Sequence, residues 1–197
     1  MRLLLASKSA ARRAMLEAAA VPFETVEAEL DEEAAKRGLT AAGFDPRGIS
    51  EELAQLKALG VKAGPGDLVL GSDQTLELDD GTMLSKPGSR EEARAQLLAL
   101  SGRTHFLHAS AVIAEGGEAV WWHSDAVTLT MRRFSPDFLE AYLDREYERI
   151  RWSVGGYRIE GPGVQLFERI EGNHFSILGM PLLPLLGYLR ERGVIAR

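Results

Sequence analysis

Apolar and polar positions along the chain change period several times, and each change marks a predicted element. Residues 2–6 are a short apolar run, too brief for a helix, and read as a strand. Ser7 to Ser9 form a turn, and Ser9 stands where an N-cap belongs before Ala10 to Ala20, a run of strong helix formers. Residues 23–29 alternate weakly and read as a second strand. An acidic loop follows at Glu29-Leu30-Asp31-Glu32-Glu33, and another loop lies at Gly43 to Pro46. Glu51 to Leu59 has helical spacing and stops at Gly60. After the turn Gly64-Pro65-Gly66-Asp67, residues 68–73 form an apolar strand ending in small and polar residues.

The second half continues in the same way. Leu76 to Leu84 reads as a hairpin arm with its turn at Asp80-Gly81. Ser89 and Glu92 form a capping box for a helix through Leu100. Thr104 to Ala114 and Ala119 to Met131 are long strands joined at Gly116-Gly117. Ser135-Pro136 opens a further helix. Tyr157 to Glu160 and Val164 to Ile170 read as strands, and Pro181 to Arg192 as an amphipathic helix. Helices alternate with strands and two hairpins interrupt them. The expected fold class is α/β, with a mixed central sheet and flanking helices.

Composition narrows the picture. The chain has 197 residues, which predicts one domain over 1–197, and 45% of them are apolar. There is no cysteine, which excludes disulfides and thiolate metal sites and suits a cytoplasmic setting. No apolar run approaches a membrane span. The formal net charge of −6 is a poor platform for duplex nucleic acid, yet leaves room for a small polyanion held by a few focused cations.

Candidate chemistry follows from position. The turn before the first helix offers free N–H groups and the Ser7 and Ser9 hydroxyls to an anion, and Arg12 lies one turn on. Asp73, at the end of an apolar strand in Gly71-Ser72-Asp73-Gln74, stands where α/β folds gather ligands. Asp31 or Glu32 would complete a hard-metal site with it. Lys57 and Lys86 are candidate cations for phosphate. His105 and His108, three apart on a predicted strand, point to opposite faces and cannot chelate one ion together. Trp121-Trp122 reads as core or interface packing. No Walker loop, Gly-x-Gly-x-x-Gly run or Gly-x-Ser-x-Gly elbow occurs.

Taken together, these segments resemble the Maf family. The resemblance rests on Leu5-Ala6-Ser7-x-Ser9 with Arg12, Asp31-Glu32, Lys57-Ala58, Gly71-Ser72-Asp73-Gln74, Lys86-Pro87 and Ser101-Gly102 with His105. It continues through Gly155-Gly156-Tyr157, Glu160-Gly161, Glu171-Gly172 and Gly179-Met180-Pro181. Ala10 and Ala11 depart from it, standing where the family commonly has Pro and then Arg or Trp, and Ala109 stands where Thr is common.

The resemblance implies an α/β fold shared broadly with inosine-triphosphate pyrophosphatases. It also implies a house-cleaning activity that cuts nucleoside triphosphates to monophosphate and pyrophosphate, a Mg²⁺ or Mn²⁺ cofactor and a homodimer. Asp73 matches the family's proton acceptor and metal ligand, and Glu32 its companion metal-binding acid. Ser7, Arg12, Lys57 and Lys86 match the phosphate site, and Glu160 a position near the base. Gly-Ser-Asp-Gln with Glu160 leans toward the branch acting on 7-methylguanosine triphosphate. Two alternatives stand beside this reading: a non-catalytic nucleotide-binding regulator of septum formation, and a phosphatase releasing orthophosphate.

Overall fold

The computed structural model describes residues 1–196. It is a mixed α/β structure. The strands are β1 (Leu3–Ala6), β2 (Glu24–Thr25), β3 (Leu68–Leu78), β4 (Met83–Leu84), β5 (Thr104–Glu115), β6 (Glu118–Met131) and β7 (Phe167–Glu171). The helices are α1 (Ala10–Ala18), α2 (Glu32–Ala41), α3 (Pro46–Leu59), α4 (Arg90–Leu100), α5 (Pro136–Ile150), α6 (His174–Ile177) and α7 (Leu182–Glu191). Strand order is β2-β1-β3-β5-β6-β7, with β4 on β3. β1 runs parallel to β2 and β3, whereas β3–β4 and β6–β7 are antiparallel, so the sheet is mixed as expected. Among the described residues no helix is long and apolar enough to cross a membrane.

Backbone contacts divide the chain into two units, with β3, β5 and β6 each contributing to both. The first holds residues 1–74, 108–125 and the segment from 173 onward. Period two sorts its strand residues. Leu3 and Leu5 of β1 join Leu68, Leu70, Ala111 and Ile113 in a cluster covered by Met15 and Leu16 of α1 and by Leu182, Leu185 and Leu189 of α7. Leu4 and Ala6 face the other way, with Val69, Val112 and Ala114, against Ala54 and Ala58 of α3. This unit is therefore a sheet between helical layers.

Gly71 makes the approach of α3 possible. A Cβ there would lie 2.0 Å from the Ala54 carbonyl oxygen and 2.6 Å from the Ala58 nitrogen. Only a residue without a side chain lets the backbones meet so closely.

The second unit holds residues 75–107 and 126–172. Its β3–β4 hairpin pairs Leu76 with Leu84, and α4 packs on α5 and on the 3-10 turn at 154–156. Buried His105 and Tyr157 form an aromatic group there with half-buried Phe167, and the His105 Nε2 and Tyr157 hydroxyl lie 2.8 Å apart. The Ser89 cap forms as expected, its hydroxyl accepting the Glu92 N–H. Glu92, however, reaches back to the Gly88 N–H at 2.6 Å.

Several local expectations change. The acidic stretch is not a loop throughout, since Asp31 caps α2 and Glu32 is its first residue. The helix expected at Glu51 starts at Pro46 behind an Asp45 cap, and the one expected to reach Ala20 ends at Ala18, with Ala20 at φ 52°. The weak strand at 23–29 shrinks to Glu24–Thr25. Tyr157 to Glu160 is not a strand, because Gly155 and Gly156 turn the chain with positive φ before it and a 3-10 turn follows at Pro162–Leu166. Trp121 is packed, stacking on Tyr188, whereas Trp122 is exposed.

Candidate active site

Parallel pairing of β1 with β3 sets the site. Ala6 lies opposite Gly71, so the chain that continues as Ser7 and the chain that continues as Ser72 and Asp73 leave the pairing side by side. Ligands gather at such carboxyl ends of parallel strands. After β1 the backbone turns into α1. Ser9 caps the helix by accepting the Arg12 N–H at 3.4 Å, and the Ser7 hydroxyl oxygen accepts the Ser9 N–H at 3.2 Å. The Arg12 guanidinium folds back and donates to the same Ser7 oxygen at 3.3 Å. Both bonds use that oxygen as acceptor, so the single Ser7 proton remains a donor.

Arg12 is buried, and its Nε donates to the Gly179 carbonyl at 2.8 Å. Burial holds its pKa below the ordinary arginine value, opposed by the charges of Asp73 and Glu32. A guanidinium stays charged even so. Gly179 has φ 106°, and a Cβ on it would sit 3.4 Å from the Arg12 guanidinium. Glycine thus serves both the backbone angle and the close contact.

The second cation is Lys57, from the last turn of α3. The sequence placed it mid-helix beside apolar neighbours, and the structure buries it. Its ammonium donates to Asp73 Oδ1 at 2.6 Å and lies 2.8 Å from Glu32 Oε2. Asp73 is buried, while the Glu32 side chain is 53% exposed and so faces solvent across the pair. A buried carboxylate needs such a partner, because leaving it unpaired is costly. Ser7, Arg12, Glu32, Lys57 and Asp73 are therefore brought together within the first unit. Asp31 has a different task. Its carboxylate accepts the Ala34 N–H at 2.9 Å, leaving Glu32 as the acid that turns to Lys57.

Lys86 and Glu160 belong to the second unit. Both are exposed, and Glu160 lies 3.3 Å from Arg158.

Whether a divalent cation suits the first unit's acids is a question of donor chemistry. Glu32 and Asp73 both present hard oxygens to the Lys57 nitrogen, at 2.8 and 2.6 Å. Among the described residues no set of three or more metal-ligating side chains converges. Two carboxylates fit Mg²⁺ or Mn²⁺, which bind through one or two carboxylates and complete their shell with phosphate and water.

Sequence reasoning missed the supports beneath this cluster. Ser50, buried on α3, donates toward the Asp73 carbonyl at 3.2 Å and lies 2.8 Å from the Ser110 hydroxyl. Ser72 donates to the Gly179 carbonyl at 3.1 Å, and Gln74 to the Ser176 and Ile177 carbonyls at 2.7 and 3.1 Å. The signals available were a serine inside an apolar helical stripe and polar residues on both sides of Asp73.

Known proteins resemble this chain over nearly its full length. Residues 2–192 match the family described as Maf-like protein. The chain is 50% identical to a nucleoside triphosphate pyrophosphatase of Granulibacter bethesdensis, with 97% of each chain covered. It is 47% identical to one of Caulobacter vibrioides, covering 97% of this chain and 96% of that one. A 7-methyl-GTP pyrophosphatase of Brucella abortus is 43% identical, over 98% of both. With the match spanning the β1–α1 turn, the α3 lysine and the Asp73 strand together, this chain belongs to the Maf-like protein family.

Proposed function

We propose that this protein hydrolyses nucleoside triphosphates to a monophosphate and pyrophosphate. The observation that carries the reading is the meeting of Asp73, Glu32 and Lys57 beside Arg12 and the start of α1. Full-length similarity to proteins named for that activity supports it.

In this reading the triphosphate enters beside the α1 N-terminus, where N–H groups, the Ser7 hydroxyl and Arg12 receive its anionic oxygens. Lys57 turns from the carboxylates toward phosphate. Asp73 orients a water and takes its proton as the water oxygen bonds to the α-phosphorus. The bond from that phosphorus to the bridging oxygen breaks, and the electron pair leaves with pyrophosphate. Arg12 and Lys57 stabilise the charge that develops, which is the main demand of phosphoryl-type transfer. Glu32 and Asp73 would hold Mg²⁺ or Mn²⁺, which when bound would neutralise phosphate charge.

Roles for Lys86 on phosphate and Glu160 near the base belong to the proposal. They are read separately, from the KM of Lys86→Ala and the base preference of Glu160→Gln. A homodimer and a cytoplasmic setting belong to it as well.

The test is a product assay across canonical and modified triphosphates, 7-methylguanosine triphosphate included, with Mg²⁺ or Mn²⁺. Pyrophosphate with monophosphate is expected, and orthophosphate with diphosphate would refute the reading. Asp73→Asn should lower turnover by about 10²–10⁴-fold. It should stay folded, because Lys57 keeps Glu32 as its counter-charge.

A further inference from the structure

The segment 173–179 touches the site at three points, and none of its side chains belongs to the cations and carboxylates described above. The Gly179 carbonyl accepts from both Arg12 Nε and Ser72 Oγ, at 2.8 and 3.1 Å. The Ser176 and Ile177 carbonyls accept the Gln74 amide. Ser72 and Gln74 flank Asp73 in the chain, so the side chains on both sides of the acid are tied to the backbone of this one segment.

What holds the segment itself lies on β6. The Ser176 hydroxyl, on a fully buried residue, donates to Asp125 Oδ2 at 2.5 Å. The other oxygen of Asp125 lies 2.9 Å from His123 Nε2. His123 in turn stacks on Trp121, and Trp121 on Tyr188 of α7. Both carboxylate oxygens are thus committed, and the side chain has little freedom to swing. A bond from a hydroxyl to an ionised carboxylate is also among the stronger kinds. The chain of contact runs from Asp125 through Ser176 to Gln74 and Asp73, and through Gly179 to Arg12.

We propose that Asp125 and Ser176 are positioning residues for the phosphate-cleaving site, fixing Asp73 and Arg12 in mutual register through the 173–179 segment. The inference rests on the hydrolytic reading above and extends it to residues that touch no substrate. Loosening the brace misplaces the acid against an already bound triphosphate, so turnover suffers more than binding.

The experiment is steady-state kinetics of pyrophosphate release by wild type, Asp125→Ala, Ser176→Ala and the double variant, with thermal melts of each. Asp125→Asn serves as a milder variant should Asp125→Ala fail to fold. Each single change should lower kcat by about 10-fold, as loss of outer-shell support typically does, with KM within about twofold and the melting temperature near wild type. The double variant should lose no more than the worse single, since both remove one bond. Single variants with wild-type kcat, losses that multiply in the double variant, or losses that track melting temperature would each overturn the inference while leaving the hydrolytic reading intact. A wild-type protein that releases no pyrophosphate from any triphosphate would overturn both.

Discussion

Lys57 shows how a single buried charge links stability to chemistry. Its ammonium sits between Asp73, almost out of solvent, and half-exposed Glu32. Removing the cation leaves a buried carboxylate uncompensated, whereas removing Asp73 leaves the cation paired with Glu32. The two substitutions should therefore differ sharply in stability although both are expected to lower turnover. Lys57→Met is expected to destabilise by about 3 kcal/mol, the usual scale for breaking a buried pair from one side. Asp73→Asn should change stability by much less, and adding it to Lys57→Met should recover part of the loss. Urea unfolding of the three variants checks the order, and equal losses for the two single variants would contradict it. Neither buried partner could be read as a pair from sequence, because 16 residues separate them and only the approach of α3 to β3 joins them.

At the scale of elements, α2 and α3 explain what was legible and what was not. α3 carries buried Ile49, Leu53, Ala54 and Ala58 at helical spacing, and that stripe announces a helix. α2 buries none of its residues, so it leaves no apolar period in the sequence and its acids read as a loop. It forms on its Asp31 cap and on two acidic residues in its first turn. Asp31→Ala should cost about 1 kcal/mol and raise amide exchange in the first turn of α2, while Asp31→Asn should retain most of the protection. The contact between α3 and β3 has a different vulnerability. Gly71→Ala places a methyl into the Ala54 carbonyl, and overpacking of that kind should destabilise by about 3 kcal/mol or more. Chemical denaturation measures it, and a variant as stable as wild type would show that the two elements are not so tightly apposed.

For the molecule as a whole, His105 predicts how stability responds to acid. Burial pushes its ring from 6.5 down to about 4, and its Nδ1 is buried without a hydrogen-bond partner. The folded chain therefore keeps this ring neutral while the unfolded chain protonates it below about pH 6.5. Between those values the unfolded state binds more protons, so stability falls as pH drops from about 6.5 to about 4. The loss from this one residue is on the order of 3 kcal/mol. His105→Phe keeps an aromatic ring in the group and removes the titration. Its unfolding free energy should decline less than that of wild type between pH 7 and 4.5, and parallel declines would assign the acid sensitivity elsewhere.

The local order of apolar and polar residues determined most strands, the capped helices α1, α4 and α5 and the mixed α/β class, because each follows from periodicity and turn chemistry within a few residues. Ser7, Arg12, Lys57 and Asp73 also came forward from their positions in the sequence, with Asp31 or Glu32 beside them, and the resemblance to a family singled out Glu32. Only the tertiary structure decided that these five meet, that Asp31 caps while Glu32 faces Lys57, and that Ser50, Gln74, Ser176 and Asp125 stand behind them. The reason is range. A helix or a hairpin is selected by neighbours in the chain, but a buried charge finds its partner across a sheet register and a helix packing that no short stretch of residues contains.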